Sequence, residues 1–72
     1  MIQTNFVFEG QNITIQCNKN EAMKEIFKIF EIKANIVNKS VYYLYNGNKL
    51  NEEIKLEEII GDNNYINILV IK

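Results

Sequence analysis

The chain has no histidine, tryptophan, proline or arginine, and it has one cysteine among its 72 residues. Without histidine it lacks the most frequent general acid or base and a frequent metal ligand. One cysteine excludes an internal disulfide, and as a nucleophile it would need a neighbouring base. No Gly-rich phosphate loop is present. We therefore expect no enzymatic activity, no cofactor and no metal ion, and we interpret Cys17 as a small buried hydrophobic residue.

Charge and hydropathy argue against further classes of binding partner. The 8 basic and 9 acidic side chains are interspersed and give a net charge of −1, which argues against binding to nucleic acid or to an anionic membrane. No apolar run reaches the roughly 18 residues that a membrane-spanning helix needs. The amino terminus lacks the basic and apolar regions of a secretory signal. We expect an intracellular protein, cytoplasmic or nuclear.

The length supports a single domain over residues 1–72, and 47% hydrophobic residues can supply a core. Asparagine, isoleucine and lysine are abundant, which we interpret as the bias of an AT-rich genome. On this interpretation many of the asparagines have no specific structural or functional role.

The first part of the chain alternates between apolar and polar residues. Alternation from Ile2 to Phe8 predicts a half-buried strand, and Gly10 lies in a turn over residues 9–12. Alternation resumes at Ile13 and continues to Cys17. The two segments predict an antiparallel hairpin with one apolar face.

The period then changes to that of a helix. Asn18 or Asn20 is the expected N-cap, and Glu21 could complete a capping box with Asn18. About three helical turns follow. The apolar positions of this helix are Met23, Ile26, Phe27 and Phe30.

The sequence pattern of the second half predicts short strands and turns. Residues 41–45 are strongly β-prone, 46–48 form a tight turn, and 49–50 make a short returning strand. Residues 54–60 carry a short helical turn, and 65–71 form the last strand. The order β-β-α-β-β-turn-β predicts an α+β fold, a β-grasp roll in which a mixed sheet of four to five strands packs on one helix.

Several segments resemble ubiquitin at compatible spacing. They are residues 10–15 (GQNITI), residues 43–50 (YLYNGNKL), Leu56 and residues 69–70 (LV). The spacing from Gly10 to Leu56 needs no gap, and one slip of a residue within 61–64 places the last strand. The chain is therefore similar to the ubiquitin-like family over essentially its whole length.

The resemblance implies a non-catalytic protein–protein interaction domain. Conjugated modifiers end in Gly-Gly, whereas the given sequence ends in Ile71-Lys72, and Asn48 holds the position of the principal chain-linking lysine. We expect a non-conjugated domain of a larger protein, binding a partner from the ubiquitin system or the proteasome. The alternative is a modifier whose Gly-Gly lies beyond the sequence given. A purely structural unit of a tandem array is a third hypothesis.

The partner-binding surface is expected on the outward face of the sheet. The resemblance puts Leu44 at the family's central isoleucine position, with Tyr42 at the rim. Outward aliphatic residues of neighbouring strands would form a contiguous patch, a frequent sign of a partner site; the alternative is that scattered exposed aliphatics are ordinary. The residues predicted to bind a partner are Val7, Leu44, Gly47, Asn67 and Leu69.

Two other surfaces are weaker candidates. Ile29 and Ile32 lie off the apolar stripe of the helix, where Ile36 and Val37 could cover them. An acidic stretch could steer a basic partner, although a solvated charged face is the simpler interpretation. Its residues are Glu52, Glu53, Glu57 and Glu58. We expect a monomer.

Overall fold

The structure is a computed structural model that describes residues 1–36 and 40–72. Its elements in chain order are β1 (Ile2–Phe8), β2 (Gln11–Cys17), α1 (Met23–Lys33), β3 (Tyr42–Tyr45), β4 (Asn48–Lys49), α2 (Glu57–Ile60) and β5 (Tyr65–Ile71). The strands form a five-stranded sheet in the order β2-β1-β5-β3-β4, in which β1 and β5 are parallel and the other pairs antiparallel. This mixed sheet with one main helix confirms the predicted α+β, β-grasp class.

The core lies between the sheet and α1, where every second residue of each long strand faces the helix. Phe6 stacks on Phe30 with ring centroids 4.5 Å apart, and Phe27 stacks on Tyr43 at 3.8 Å. Burial of each large side chain contributes about 1.5–3 kcal/mol. The apolar residues predicted for the helix, Met23, Ile26, Phe27 and Phe30, are all buried.

The first hairpin turns over two residues rather than four. Glu9 and Gly10 both have positive φ, 48° and 81°, as the tight hairpin turn that matches strand twist requires. As a result β2 begins at Gln11, two residues before the predicted Ile13. This turn fixes which residues of β1 and β2 lie opposite each other.

A second tight turn joins β3 and β4. Asn46 and Gly47 adopt φ of 53° and 81°, so the turn is again two residues long. The returning strand is therefore 48–49, one residue earlier than predicted. A glycine suits the second position because its φ is strained for any residue with a Cβ.

The predicted asparagine N-cap of α1 is wrong. The helix begins at Met23, and its N-cap is Ala22, which makes no side-chain capping bond. The predicted pair of Asn18 and Glu21 does interact, since the Asn18 N–H donates to the Glu21 carboxylate at 2.6 Å. That bond stabilises the turn before the helix rather than the helix itself.

The first turn of α1 is instead completed by a distant loop. The backbone N–H of Met23 donates to the carbonyl of Ile54 at 2.8 Å, and that of Lys24 donates to the carbonyl of Glu52 at 3.0 Å. These contacts satisfy donors that a helix start leaves open. Tertiary structure therefore decides where α1 begins.

Tyr43 connects the sheet to the helix through a partly buried polar bond at the edge of the core. It is buried, as predicted, and its hydroxyl donates to Glu31 Oε2 at 2.6 Å. Burial first, and then the bond to Glu31, raise the pKa of Tyr43 far above its ordinary value of 10.0. The folded protein therefore holds the phenol proton more tightly than the unfolded chain does.

This shift predicts loss of stability in alkali. Above about pH 10 the unfolded chain releases the Tyr43 proton while the folded chain keeps it, so the free energy of unfolding falls as pH rises. Urea denaturation followed from about pH 8 to about pH 11 measures the decline. The Tyr43→Phe variant is the control and should decline less steeply. Equal slopes for the two proteins would contradict the assignment.

Candidate functional site

The sheet face turned away from α1 is called here the open face. Its residues alternate with the core residues of the same strands. They are Gln3, Asn5, Val7, Asn12, Thr14, Gln16, Tyr42, Leu44, Lys49, Tyr65, Asn67, Leu69 and Ile71. The open face divides into an aliphatic part and a part rich in asparagine.

Three aliphatic side chains form the apolar row, defined as Val7, Leu69 and Leu44. Val7 lies opposite Leu69 on the parallel pair β1 and β5, and Leu69 lies opposite Leu44 on the antiparallel pair β5 and β3. Leu69 is 44% exposed, while Val7 and Leu44 are half-buried. Tyr42 and Ile71, also opposite each other, extend the row along the strands. The row crosses three adjacent strands, each about 4.8 Å from the next.

The structure separates the other two residues predicted to bind a partner. Asn67 lies on the open face two residues before Leu69 but belongs to the polar part, opposite Asn5. Gly47 is exposed in the turn after β3 and lies outside the apolar row. The structure therefore brings Val7, Leu44 and Leu69 together, with Asn67 beside them and Gly47 at the end of the strand pair. Partner binding by these residues stays a prediction.

Beside the apolar row lies an asparagine ladder, defined as Asn5, Asn12, Thr14, Tyr65 and Asn67. Asn5 Nδ2 donates to Asn12 Oδ1 and to Asn67 Oδ1, each at 2.9 Å. Thr14 Oγ1 donates to Asn5 Oδ1 at 3.0 Å, and the Tyr65 hydroxyl donates to Asn67 Oδ1 at 3.2 Å. Asn5 is only 6% exposed. The ladder thus gives a nearly buried amide the partners that burial demands.

The ladder corrects the interpretation that these asparagines have no specific role, because they hydrogen-bond to one another across the sheet. The signal was present in the sequence, since Asn5 occupies an outward position and a two-residue turn at Glu9–Gly10 places Thr14 opposite it. Pairing with Asn67 is different, because it depends on a parallel contact between the two ends of the chain. Local patterns do not fix the register of such a contact.

One charge lies on the open face. Lys49 is the only charged residue in the strands of the described chain. It lies opposite Leu44, and its Nζ is 5.5 Å from the centroid of the Tyr42 ring, within reach of a cation–π contact. The strand residues of the open face are therefore neutral apart from Lys49, at the end of the apolar row.

One glutamate of the acidic candidate surface, Glu58, makes a local backbone hydrogen bond. The Lys55 N–H donates to Glu58 Oε2 at 2.8 Å, and this bond supports the start of α2. The four glutamates of this stretch, Glu52, Glu53, Glu57 and Glu58, are exposed. A solvated charged face is the simpler account of them.

The helix-back candidate remains open on its outer side. Ile29 is 37% exposed and Ile32 is 73% exposed, although Ile36 packs against the core. Val37, the other residue expected to cover this pair, lies outside the described residues. Ile32 is thus an exposed aliphatic residue on the opposite layer of the fold from the apolar row.

Within residues 1–36 and 40–72, no cluster of His, Cys, Asp or Glu side chains is arranged to hold a metal ion. In the same residues no helix combines the length and the apolar character needed to cross a membrane.

Cys17 is buried, as predicted. Its Sγ lies 3.7 Å from Thr4 Oγ1, and burial raises the pKa of the thiol. Because the thiolate is the reactive form and the sulfur is inaccessible, we expect Cys17 to resist Ellman's reagent in the native protein and to react once urea unfolds it. The absorbance of the released thionitrobenzoate measures the reaction. Complete labelling without denaturant would contradict this.

Comparison with known proteins identifies the fold. A solution NMR structure of the ubiquitin-like domain of an Arabidopsis thaliana protein superposes with a TM-score of 0.81 at 21% identity, covering 97% of this chain and 74% of that one. A crystal structure of ATBAG1 in complex with HSP70 gives a TM-score of 0.84 at 14% identity, covering all of this chain and 40% of that one. Neither a family model nor a curated protein matches the sequence. The chain therefore has the ubiquitin-like fold.

Proposed function

We propose that this chain is a non-catalytic ubiquitin-like interaction domain of a larger protein, and that it binds another protein through the apolar row. The observation that carries the proposal is the register of Val7, Leu69 and Leu44. Aliphatic side chains from three strands form one strip on a sheet face, where they do not contribute to the core under α1. A contiguous exposed apolar strip of this kind is typical of a partner site.

The composition around the row fits a protein partner. Stable protein interfaces have an apolar centre surrounded by a polar rim, and each partner contributes about 800 Å². On the open face the apolar row would be the centre, and the asparagine ladder and Lys49 would be parts of the rim. Tyr42, 39% exposed, adds an aromatic ring of the kind enriched in interfaces.

The structural neighbours support protein binding as a mode of action. ATBAG1, one protein that shares the fold, was crystallised in complex with HSP70. The present chain spans 40% of that ATBAG1 chain, so the identity of the partner does not transfer. A partner from the ubiquitin system or the proteasome, an intracellular location and a monomeric state are further parts of the proposal, supported by the resemblance to ubiquitin and by the charge balance.

Selection from a phage-displayed library of random dodecapeptides tests the proposal. Peptides that bind the wild-type chain are expected to bind the Leu69→Lys variant at least about tenfold more weakly, because a charge would enter the centre of the interface. The matched control is Ile32→Lys, which changes an exposed aliphatic residue on the opposite layer. Peptides that bind both variants like the wild type would contradict the proposal.

A further inference from the structure

We infer that the open face is specific for a segment in which an aliphatic side chain is accompanied by a carboxylate, that Asn67 binds the carboxylate, and that Lys49 favours acidic segments through its charge. The inference rests on the proposed function and adds the chemistry of the partner. It follows from the direction in which the asparagine ladder presents its groups and from the charge at the end of the apolar row.

The ladder gives Asn67 one role toward a partner. Its Oδ1 already accepts from Asn5 Nδ2 at 2.9 Å and from the Tyr65 hydroxyl at 3.2 Å. Its Nδ2 donates to no side chain or backbone group of the described residues. Asn67 is exposed, so the group it offers is an N–H donor. Asn5, nearly buried, holds the amide in this orientation.

Asn12 repeats the arrangement on the other side of Asn5. Its Oδ1 accepts from Asn5 Nδ2 at 2.9 Å, which leaves its exposed Nδ2 as a donor as well. The ladder therefore presents N–H donors, while its amide oxygens are occupied by internal bonds. At Asn67 and Asn12 an acceptor group of the partner is therefore favoured.

Charge favours a carboxylate among the possible acceptors. Lys49, the sole strand cation of the described chain, lies opposite Leu44, and no strand residue there is acidic. A carboxylate would accept charge-assisted bonds from the amide donor at Asn67, and such bonds are about twice as strong as neutral ones. The ammonium group of Lys49 lies by Tyr42, on the other side of the apolar row, so it attracts the carboxylate only over a distance. A basic partner segment would meet repulsion at Lys49 and unmatched donors at Asn67.

The spacing fits a short peptide segment. Asn67 and Leu69 are two positions apart on one strand face, a distance of about 7 Å. Aliphatic and acidic residues two apart in an extended segment, or three or four apart in a helix, span a similar distance. One segment can thus place its aliphatic residue on the apolar row and its carboxylate at Asn67.

The test uses the dodecapeptides selected on the wild-type chain. Those that need Leu69 are expected to be enriched in Asp or Glu near an aliphatic residue. Asn67→Asp keeps an oxygen that accepts from Asn5 and Tyr65 but replaces the outward NH₂ by a second carboxylate oxygen. We expect this variant to melt like the wild type and to bind acidic peptides about tenfold or more weakly. Replacing the acidic residue of the peptide by lysine should restore binding to the Asn67→Asp variant. A merely structural role of Asn67 would not produce this recovery.

Lys49→Glu provides a second variant outside the ladder, and it decides the matter if Asn67→Asp fails to fold. It should weaken the same peptides by a smaller factor than Asn67→Asp, more at low salt than at high salt, and should improve binding of the lysine-containing version. Leu69-dependent peptides without acidic enrichment, or with unchanged affinity for both variants, would overturn this inference while the proposed function stands. If no selected peptide depends on Leu69, the proposed function itself fails.

Discussion

Replacing Phe6 by alanine is expected to remove about 3–5 kcal/mol from the free energy of unfolding. Phe6 is 0% exposed and stacks on Phe30 with the two rings inclined by 17°. Edge-to-face contacts join it to Phe27 at 6.3 Å and to Tyr43 at 5.9 Å. Truncation would remove one side of three aromatic contacts and leave a cavity between β1 and α1.

The expected loss is large against what a chain of this size has available. At about 0.05–0.15 kcal/mol per residue, 72 residues have a stability of about 4–11 kcal/mol. Urea denaturation followed by far-ultraviolet circular dichroism measures the change. Should Phe6→Ala be unfolded without denaturant, Phe6→Leu gives a measurable intermediate, since leucine fills part of the space.

Phe8→Ala is the matched control for this prediction. Phe8 occupies the same face of β1 but is only partly buried, with one edge-to-face contact to Phe30 at 6.0 Å. Because it has less area and fewer contacts to lose, we expect a smaller loss than for Phe6→Ala. A larger loss for Phe8→Ala would show that the packing centre lies elsewhere.

The parts of this fold that could be predicted from sequence are those with a local cause. The alternation that places Phe6 in the core and the helical spacing of Ile26, Phe27 and Phe30 are visible without tertiary information, since side-chain direction follows from backbone period. The turn at Asn46–Gly47 is equally local, because few residues tolerate its positive φ.

The parts that could not be predicted depend on contacts distant in sequence. Helix α1 begins at Met23 rather than beside an asparagine because the carbonyl of Ile54 receives its first N–H. The asparagine ladder needs Asn67 next to Asn5, at opposite ends of the chain. For the candidate site, outward alternation sufficed to place Val7 on the open face, while the position of Leu69 beside Leu44 came from the resemblance to ubiquitin.

Replacing Leu44 by lysine is expected to weaken partner binding by about a hundredfold or more while the fold is kept. Leu44 lies at the junction of the apolar row and Lys49, opposite both Leu69 and Lys49. A lysine there would bring a second ammonium group beside Lys49, and docking of an aliphatic partner would have to desolvate it. Burying an unpaired charge costs several kcal/mol, and about 2.7 kcal/mol already corresponds to a hundredfold change in affinity.

The fold should tolerate Leu44→Lys because the side chain is half-buried and points away from the core. The lysine stem can lie along the apolar row with its ammonium group in water, so we expect the free energy of unfolding to change by less than about 1 kcal/mol. Calorimetric titration with a Leu69-dependent peptide, together with thermal unfolding, measures both effects.

The combination of Leu44→Lys with Leu69→Lys separates an interface from general damage. If both residues contact the same partner side chain, the double variant should bind hardly more weakly than the more affected single variant, since the first lysine already prevents docking. Additive losses would indicate two independent contacts, and full affinity in Leu44→Lys with normal thermal unfolding would exclude the apolar row as the interface. Ile32→Lys, tested in parallel, adds the same charge to the opposite layer and should bind like the wild type.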